Sequence, residues 1–137
     1  MQINPYLSFN GKCAEAFKFY ETVLGGETLM MMTYGESPMG AKTAPEDKDR
    51  IMHARLKVGD MLLMGADAPP QFYTPMQGMT VTLGVDTPEE ADRIFGALAD
   101  GGTVRMPIQE TFWARRFGMV IDRYGTPWMV NCEKPGY

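Results

Sequence analysis

His53 is the single histidine among 137 residues, so proton transfer near neutral pH by a side chain of ordinary pKa falls to it. It lies near the start of the run Ile51 to Val58, whose composition reads as a strand. Two roles stay open for it: a general acid or base, or a ring that hydrogen-bonds a buried main-chain group. Glu110 and Asp122 are conceivable carboxylates to orient the ring, and the sequence does not choose between them. Arg55 follows two residues later, on the same face of such a strand, and a buried guanidinium is costly unless an acid or a bound anion meets it. Cys13 and Cys132 belong to no metal-spaced or redox motif and are expected to be free, buried thiols. Ser8 and Ser37 stand outside any Gly-x-Ser-x-Gly turn, and Gly101-Gly102 follows a helical pattern instead of opening one. A nucleophile elbow and a phosphate loop are thereby excluded. A net charge of −4 argues against nonspecific nucleic-acid binding, although Arg115, Arg116 and Arg123 form a local basic cluster.

The elements that would position these groups repeat. The stretch Glu15 to Met31 reappears as Glu90 to Met106 at one constant offset, pairing Glu15 with Glu90, Ala16 with Ala91, Gly26 with Gly101, Thr28 with Thr103 and Met31 with Met106. In the first copy, Ile3 to Phe9 has the pattern of a strand. Cys13, Ala16, Phe17, Tyr20, Val23 and Leu24 then make one stripe of a helix from Lys12 to Leu24, and Gly25-Gly26 supplies its left-handed stop. Glu27 to Tyr34 is a second strand, Gly35 to Arg50 a polar loop, and Ile51 to Val58 with Met61 to Met64 a hairpin around Gly59-Asp60. In the second copy, Met79 to Val85 is a strand, and Thr87, Pro88 and Glu90 form a helix start. Ala91, Ile94, Phe95 and Leu98 are the buried stripe. Thr103 to Met106 follows as a strand, Pro107 to Trp113 as a loop, and Phe117 to Ile121 with Trp128 to Cys132 as a final hairpin.

Each half is strand, helix, then three strands. The expectation is an α+β fold of two βαβββ modules, residues 1–66 and 78–137, joined by a Pro-rich bridge at 67–77. Together they would form a cupped mixed sheet with helices on the outer face and a site between the copies. No apolar run of about 18 residues and no basic-then-apolar leader stand in the sequence, which implies a cytoplasmic protein.

A doubled βαβββ unit resembles the vicinal oxygen chelate superfamily, which includes glyoxalase I, bleomycin-resistance and fosfomycin-resistance proteins and extradiol dioxygenases. Pro5 to Phe9, Ala16 to Tyr20, Val23 to Gly26, Phe112-Trp113 and Asp122 to Trp128 resemble its PhnB-like branch over nearly the whole chain. Ala114 departs from the Gly usual after that Trp. Relatives sometimes carry a demethylubiquinone methyltransferase label, yet the Gly-rich turn of a methyl-donor fold is missing here. In metal-using relatives four inward side chains hold a divalent ion. Counted against the motifs, those places fall on Pro5, His53, Thr80 and Met129, of which only His53 is a good ligand, so no metal or other cofactor is expected.

The cavity face implied by those places would carry Leu7 and Phe9 with Pro5, Arg55 with His53, Thr82 with Thr80, and Asn131 with Met129. Phe9, Arg55, Thr80 and Met129 are accordingly expected to line a ligand site, with Gln109, Trp113 and Arg115 at its mouth and His53 as the candidate catalytic residue. Trp128 should face the helices, and the 13 methionines serve either as core filler or as an adaptable pocket wall. The resemblance implies a homodimer that binds a small organic molecule, with neither nucleic acid nor membrane as partner. Two alternatives remain, a metal-dependent glyoxalase- or dioxygenase-type enzyme using His53 and a ligand-sequestering protein of the bleomycin-resistance kind.

Overall fold

The computed structural model describes residues 1–137. The chain divides into two compact units, Met1–Pro75 and Met76–Tyr137, the division falling inside the Pro-rich segment.

The first unit runs β1 (Tyr6–Phe9), α1 (Cys13–Leu24), β2 (Glu27–Thr33), β3 (Ile51–Val58) and β4 (Met61–Asp67). Its sheet order is β1-β4-β3-β2, with β1 parallel to β4 and the other neighbours antiparallel. The second unit runs β5 (Val81–Gly84), α2 (Pro88–Ala99), β6 (Thr103–Gln109), β7 (Ala114–Ile121) and β8 (Pro127–Glu133). Its order, β5-β8-β7-β6 with β5 parallel to β8, repeats that of the first. The echo in the sequence is thus an echo in topology.

In each unit one helix covers one sheet face. Cys13, Ala16, Phe17, Tyr20 and Val23 of α1 are buried, as are Leu7, Phe9, Ala54, Leu56 and Leu63 of the strands beneath. Close approach is bought with glycine: a Cβ on Gly65 would stand 2.8 Å from the Phe17 ring, and one on Gly118 would stand 2.6 Å from the Phe95 ring. The helix ends follow their local chemistry. Gly25, at φ 72°, turns α1 out of its axis, and the Thr87 hydroxyl accepts the Glu90 N–H at the start of α2.

Two expectations about strands are corrected. β1 begins at Tyr6, so Ile3 to Pro5 lie outside it. Pro107 lies within β6, which extends to Gln109 and shortens the expected loop to residues 110–113. Pro107 is tolerated because β6 is an edge strand, where a missing N–H need not break a ladder.

Two buried carboxylates tie the strand ends together. Asp67 accepts the main-chain N–H groups of Gly11 (2.7 Å), Cys13 (3.1 Å) and Ile51 (2.8 Å). Asp122 accepts those of Tyr124 (2.8 Å) and Thr126 (3.1 Å) and the indole N–H of Trp128 (2.8 Å). Cys13 and Cys132 are free and buried, and burial together with the Asp67 charge pushes the Cys13 thiol well above its ordinary range. Replacing either Asp with Ala strands several buried donors, so Asp67→Ala and Asp122→Ala should each lower the unfolding free energy by about 3–5 kcal/mol in urea titrations. Surface ion pairs such as Lys12–Glu15, removed as Lys12→Ala, should change it by less than about 1 kcal/mol.

Candidate functional site

The face of each sheet that carries no helix is where side chains are not committed to packing beneath one. In β3, Ala54 and Leu56 point to the α1 side, which sends His53 and Arg55 to the other. Arg55 is level with Met64 of β4 and Met30 of β2, His53 is level with Met32, and Tyr6 of β1 is level with Met64. Tyr6, His53 and Arg55 therefore share a surface bordered by methionines.

Tyr6 Oη and His53 Nδ1 lie 3.0 Å apart, and their rings stack at 5.7 Å with a 22° tilt. Burial above all, with smaller contributions from Cys13 and Tyr34, raises the Tyr6 pKa, so the phenol is neutral at physiological pH and available as a donor. When it donates to Nδ1, the imidazole carries its proton on Nε2. The carboxylates conceived as partners of His53 are engaged elsewhere: Glu110 with Lys134 Nζ at 2.7 Å and Asp122 in its main-chain anchor. The Lys134 ammonium holds Glu110 below the usual carboxylate range, first by hydrogen bonding and then by its charge. Arg55 enters none of the ion pairs formed by Lys12, Arg116, Arg123 and Lys134, and its Nε is sealed from solvent without a hydrogen-bond acceptor.

Phe9 requires correction. It is 2% exposed and meets Phe17 of α1 edge-on, so it belongs to the core and not to a ligand face. The face count along β1 slips by one residue: Leu7 and Phe9 turn toward the helix, leaving the opposite face to Tyr6 and Ser8. Tyr6 was missed because the count was taken from Pro5, although Ser8 marks the parity of Tyr6 as the polar one.

In the second unit, a hollow of about 530 Å³ lies against β7 and β8, bordered by Met76, Met79, Met119 and Ile121 with Gln77, Thr80 and Arg105 as its polar members. Thr80 is thus brought to a pocket, and Arg105, which sequence reasoning passed over, joins it. Met129 sits on the helix-free side of β8, level with Met119, and receives the Thr82 hydroxyl at 3.8 Å on its sulfur. Gln109 ends β6 opposite Phe117. Trp113 is held between Phe112 (4.8 Å) and Phe117 (5.2 Å) in edge contacts, an anchor in the short loop before β7. Trp128, 1% exposed, faces α2 as expected. Arg115 lies in a smaller polar pocket of about 350 Å³ with Gly84, Asp86, Asn131 and Glu133. The other two arginines of the basic cluster are paired, Arg116 with Asp92 at 3.1 Å and Arg123 with Asp100 at 3.2 Å.

No three His, Cys, Asp or Glu side chains are grouped so as to hold a metal ion. Taken singly, His53 has a phenol for its neighbour, and Thr80 and Met129 offer a hydroxyl and a thioether, which are poor ligands for a divalent cation of the superfamily's kind. No helix is long and apolar enough to cross a membrane.

Two βαβββ units, each with a mixed four-stranded sheet and one covering helix, define the glyoxalase/bleomycin-resistance fold. A glyoxalase/bleomycin resistance protein/dioxygenase family enzyme from Burkholderia phytofirmans superimposes with a TM-score of 0.65 at 16% identity, covering 96% of this chain and 97% of that one. Within that fold the chain belongs to the family described as 3-demethylubiquinone-9 3-methyltransferase, whose sequence model matches residues 1–131. Protein YjdN of Escherichia coli is 37% identical over 98% of this chain and 97% of its own length. Among solved structures, protein PA1353 from Pseudomonas aeruginosa has a TM-score of 0.91 at 51% identity, covering 97% of this chain and 98% of that one. A putative 3-demethylubiquinone-9 3-methyltransferase, PhnB protein, from Bacillus cereus has a TM-score of 0.81 at 26% identity, covering 96% and 99%.

The family's description implies a methyl donor, and the residues do not fit one of the usual kind. The connection from β1 to α1, Asn10-Gly11-Lys12, holds one glycine, and that from β5 to α2, Val85-Asp86-Thr87, holds none. The sheets are mixed, with a single parallel pair each, and not the parallel doubly wound sheet that presents a Gly-rich turn to a cofactor.

The Tyr6–His53 contact makes a measurable claim. In long-range ¹H–¹⁵N correlation spectra neutral His53 should be mainly the Nε2–H tautomer, and Tyr6→Phe should convert it to a mixture. An unchanged tautomer ratio in Tyr6→Phe would show that the phenol is not the donor.

Proposed function

We propose that this chain binds a small organic molecule on the helix-free side of its sheets, using apolar contact for affinity and a few polar groups for orientation, without the four-ligand divalent metal centre. The observation that carries this reading is the hollow of the second unit. Its 530 Å³ falls within the range of about 300–1,000 Å³ usual for ligand sites. Its methionines supply a deformable apolar wall, and Gln77, Thr80 and Arg105 supply the polar anchors. That pairing selects an apolar body with an anionic or hydrogen-bond-accepting end. The unpaired Arg55 of the first unit has the same preference.

Methyl-resolved NMR tests this reading with 2-naphthoate and, as its cationic counterpart, 1-naphthylmethylamine. The carboxylate should shift the Met119 and Ile121 methyl signals, and the amine should not. Arg105→Gln should weaken naphthoate binding about tenfold or more, the size of one hydrogen bond to a charged group. Equal binding of both probes would remove Arg105 from the site.

A second reading, a metal-dependent glyoxalase- or dioxygenase-type enzyme, has one observation in its favour: His53 is held by Tyr6 with its second ring nitrogen left to act. Metal analysis by inductively coupled plasma mass spectrometry on wild type beside His53→Ala separates the two. The binding reading expects no stoichiometric metal in either protein. A metal present in wild type and lost from His53→Ala would reverse the choice.

We include in the proposal a cytoplasmic homodimer. Exposed apolar side chains such as Leu29, Met30 and Phe112 support a second copy as their cover.

A further inference from the structure

We infer that the helix-free face of the first unit holds a second ligand site, in which Arg55 and the Nε2–H of His53 take the carboxylate of a small aliphatic acid while Tyr6 keeps the imidazole in its donating tautomer. The inference rests on the reading above that helix-free faces receive ligands, and the site shares no residue with the methionine-lined hollow of the second unit.

Arg55 contributes no side-chain bond to the fold. It is half-buried, makes no ion pair, and has its Nε sealed from solvent without an acceptor. A sealed, unbonded donor on a charged group weakens a fold, and an apolar side chain in its place is commonly neutral or stabilising. Arg55 is therefore not kept for the stability of β3. Nε itself lies beyond the reach of a ligand. The two Nη groups are neither bonded nor sealed, so the end of the guanidinium fork remains accessible.

His53 offers a matching donor. Tyr6 Oη occupies its Nδ1 at 3.0 Å with the two rings stacked, while its Nε2 has no partner and is not sealed. A phenol that donates to Nδ1 leaves the proton on Nε2, so that nitrogen donates even when the ring is neutral. His53 and Arg55 stand two residues apart on one face of β3, about 7 Å along the strand, and both side chains are long enough to reach a carboxylate set between them. The strand neighbours level with them are methionines, Met30 and Met64 beside Arg55 and Met32 beside His53. No carboxylate stands in these rows to compete for the guanidinium, and Glu27, further along β2, is level with Lys57. Thioethers on either side give an aliphatic body a deformable apolar bed. The fork can meet a carboxylate through two parallel hydrogen bonds, with the imidazole N–H as a third, and the same charge selects against an ammonium group.

The test uses the whole chain, labelled with ¹³C at methionine methyls and ¹⁵N at histidine, titrated with isovalerate, isovaleramide and isoamylamine. Isovalerate should shift the Met32 and Met64 methyl signals and His53 Nε2, and the amide and the amine should not. Arg55→Met should weaken isovalerate binding about tenfold or more while leaving the urea midpoint of unfolding the same or higher. Tyr6→Phe should weaken binding by the factor by which it lowers the Nε2–H population of neutral His53, a link that a merely structural Tyr6 would not produce. Binding that survives Arg55→Met, a urea midpoint that falls in that variant, or equal shifts from the amine would overturn the assignment. Carboxylate shifts at Met119 with none at Met32 or Met64 would also overturn it and leave the function proposed above standing, whereas shifts in neither unit would remove both.

Discussion

The Asp67 carboxylate is the interaction on which the first unit turns. From the last residue of β4 it reaches Gly11 and Cys13, where the chain leaves β1 and enters α1, and Ile51, where β3 begins. One side chain thus fixes the entry of the helix and the start of a central strand. Beyond the irregularity at Met52, the pairing of Ala54 and Leu56 with Gly65 and Leu63 of β4 sets them under the helix and leaves His53 and Arg55 on the other face. Asp122 does comparable work in the second unit with different partners, closing the turn between β7 and β8 and holding the Trp128 indole beneath α2. The two anchors are not equivalent positions of the repeat, so the halves share a topology without sharing the means of fixing it.

From these anchors follows the separation of labour between faces. Helix-side residues are small or apolar, and a glycine is used where a ring of the helix comes down onto a strand. The opposite side keeps methionines, a phenol–imidazole pair and arginines. Arg55 and Asn131 each retain a buried polar atom without a partner on that side, and natural cores rarely leave such atoms in place without a use.

Much of this was legible in the sequence. Both helices follow from their apolar stripes, the stop of α1 from Gly25 and the start of α2 from Thr87-Pro88, and the order of elements from the repeat. The errors have physical causes. In Tyr6-Leu7-Ser8-Phe9 the parity was counted from Pro5, which lies outside the strand, and Phe9 was placed on the wrong side although Ser8 marks the other parity as polar. Pro107 signals a break unless the strand is known to lie at an edge, which is a tertiary fact. Asp67 stands beside a Pro-rich stretch and has the look of a linker residue until the three N–H groups converge on it. Arg105 carries no motif, and it falls at a shift of register between Val104 and Met106 that alternation along the strand does not reveal. Arg115, expected at the mouth of a ligand site, borders a polar pocket and donates to main-chain oxygens there.

The Gly65–Phe17 and Gly118–Phe95 contacts have an evolutionary consequence. With helix and sheet locked by ring-on-glycine packing and carboxylate anchors on one side, substitutions on the other side can alter recognition with little debt to folding. A scaffold of this kind can drift between ligands by exchanging methionines and a few polar residues, while one set of buried side chains is kept under purifying selection. Descendants of such a protein would diverge in what they bind long before they diverge in shape.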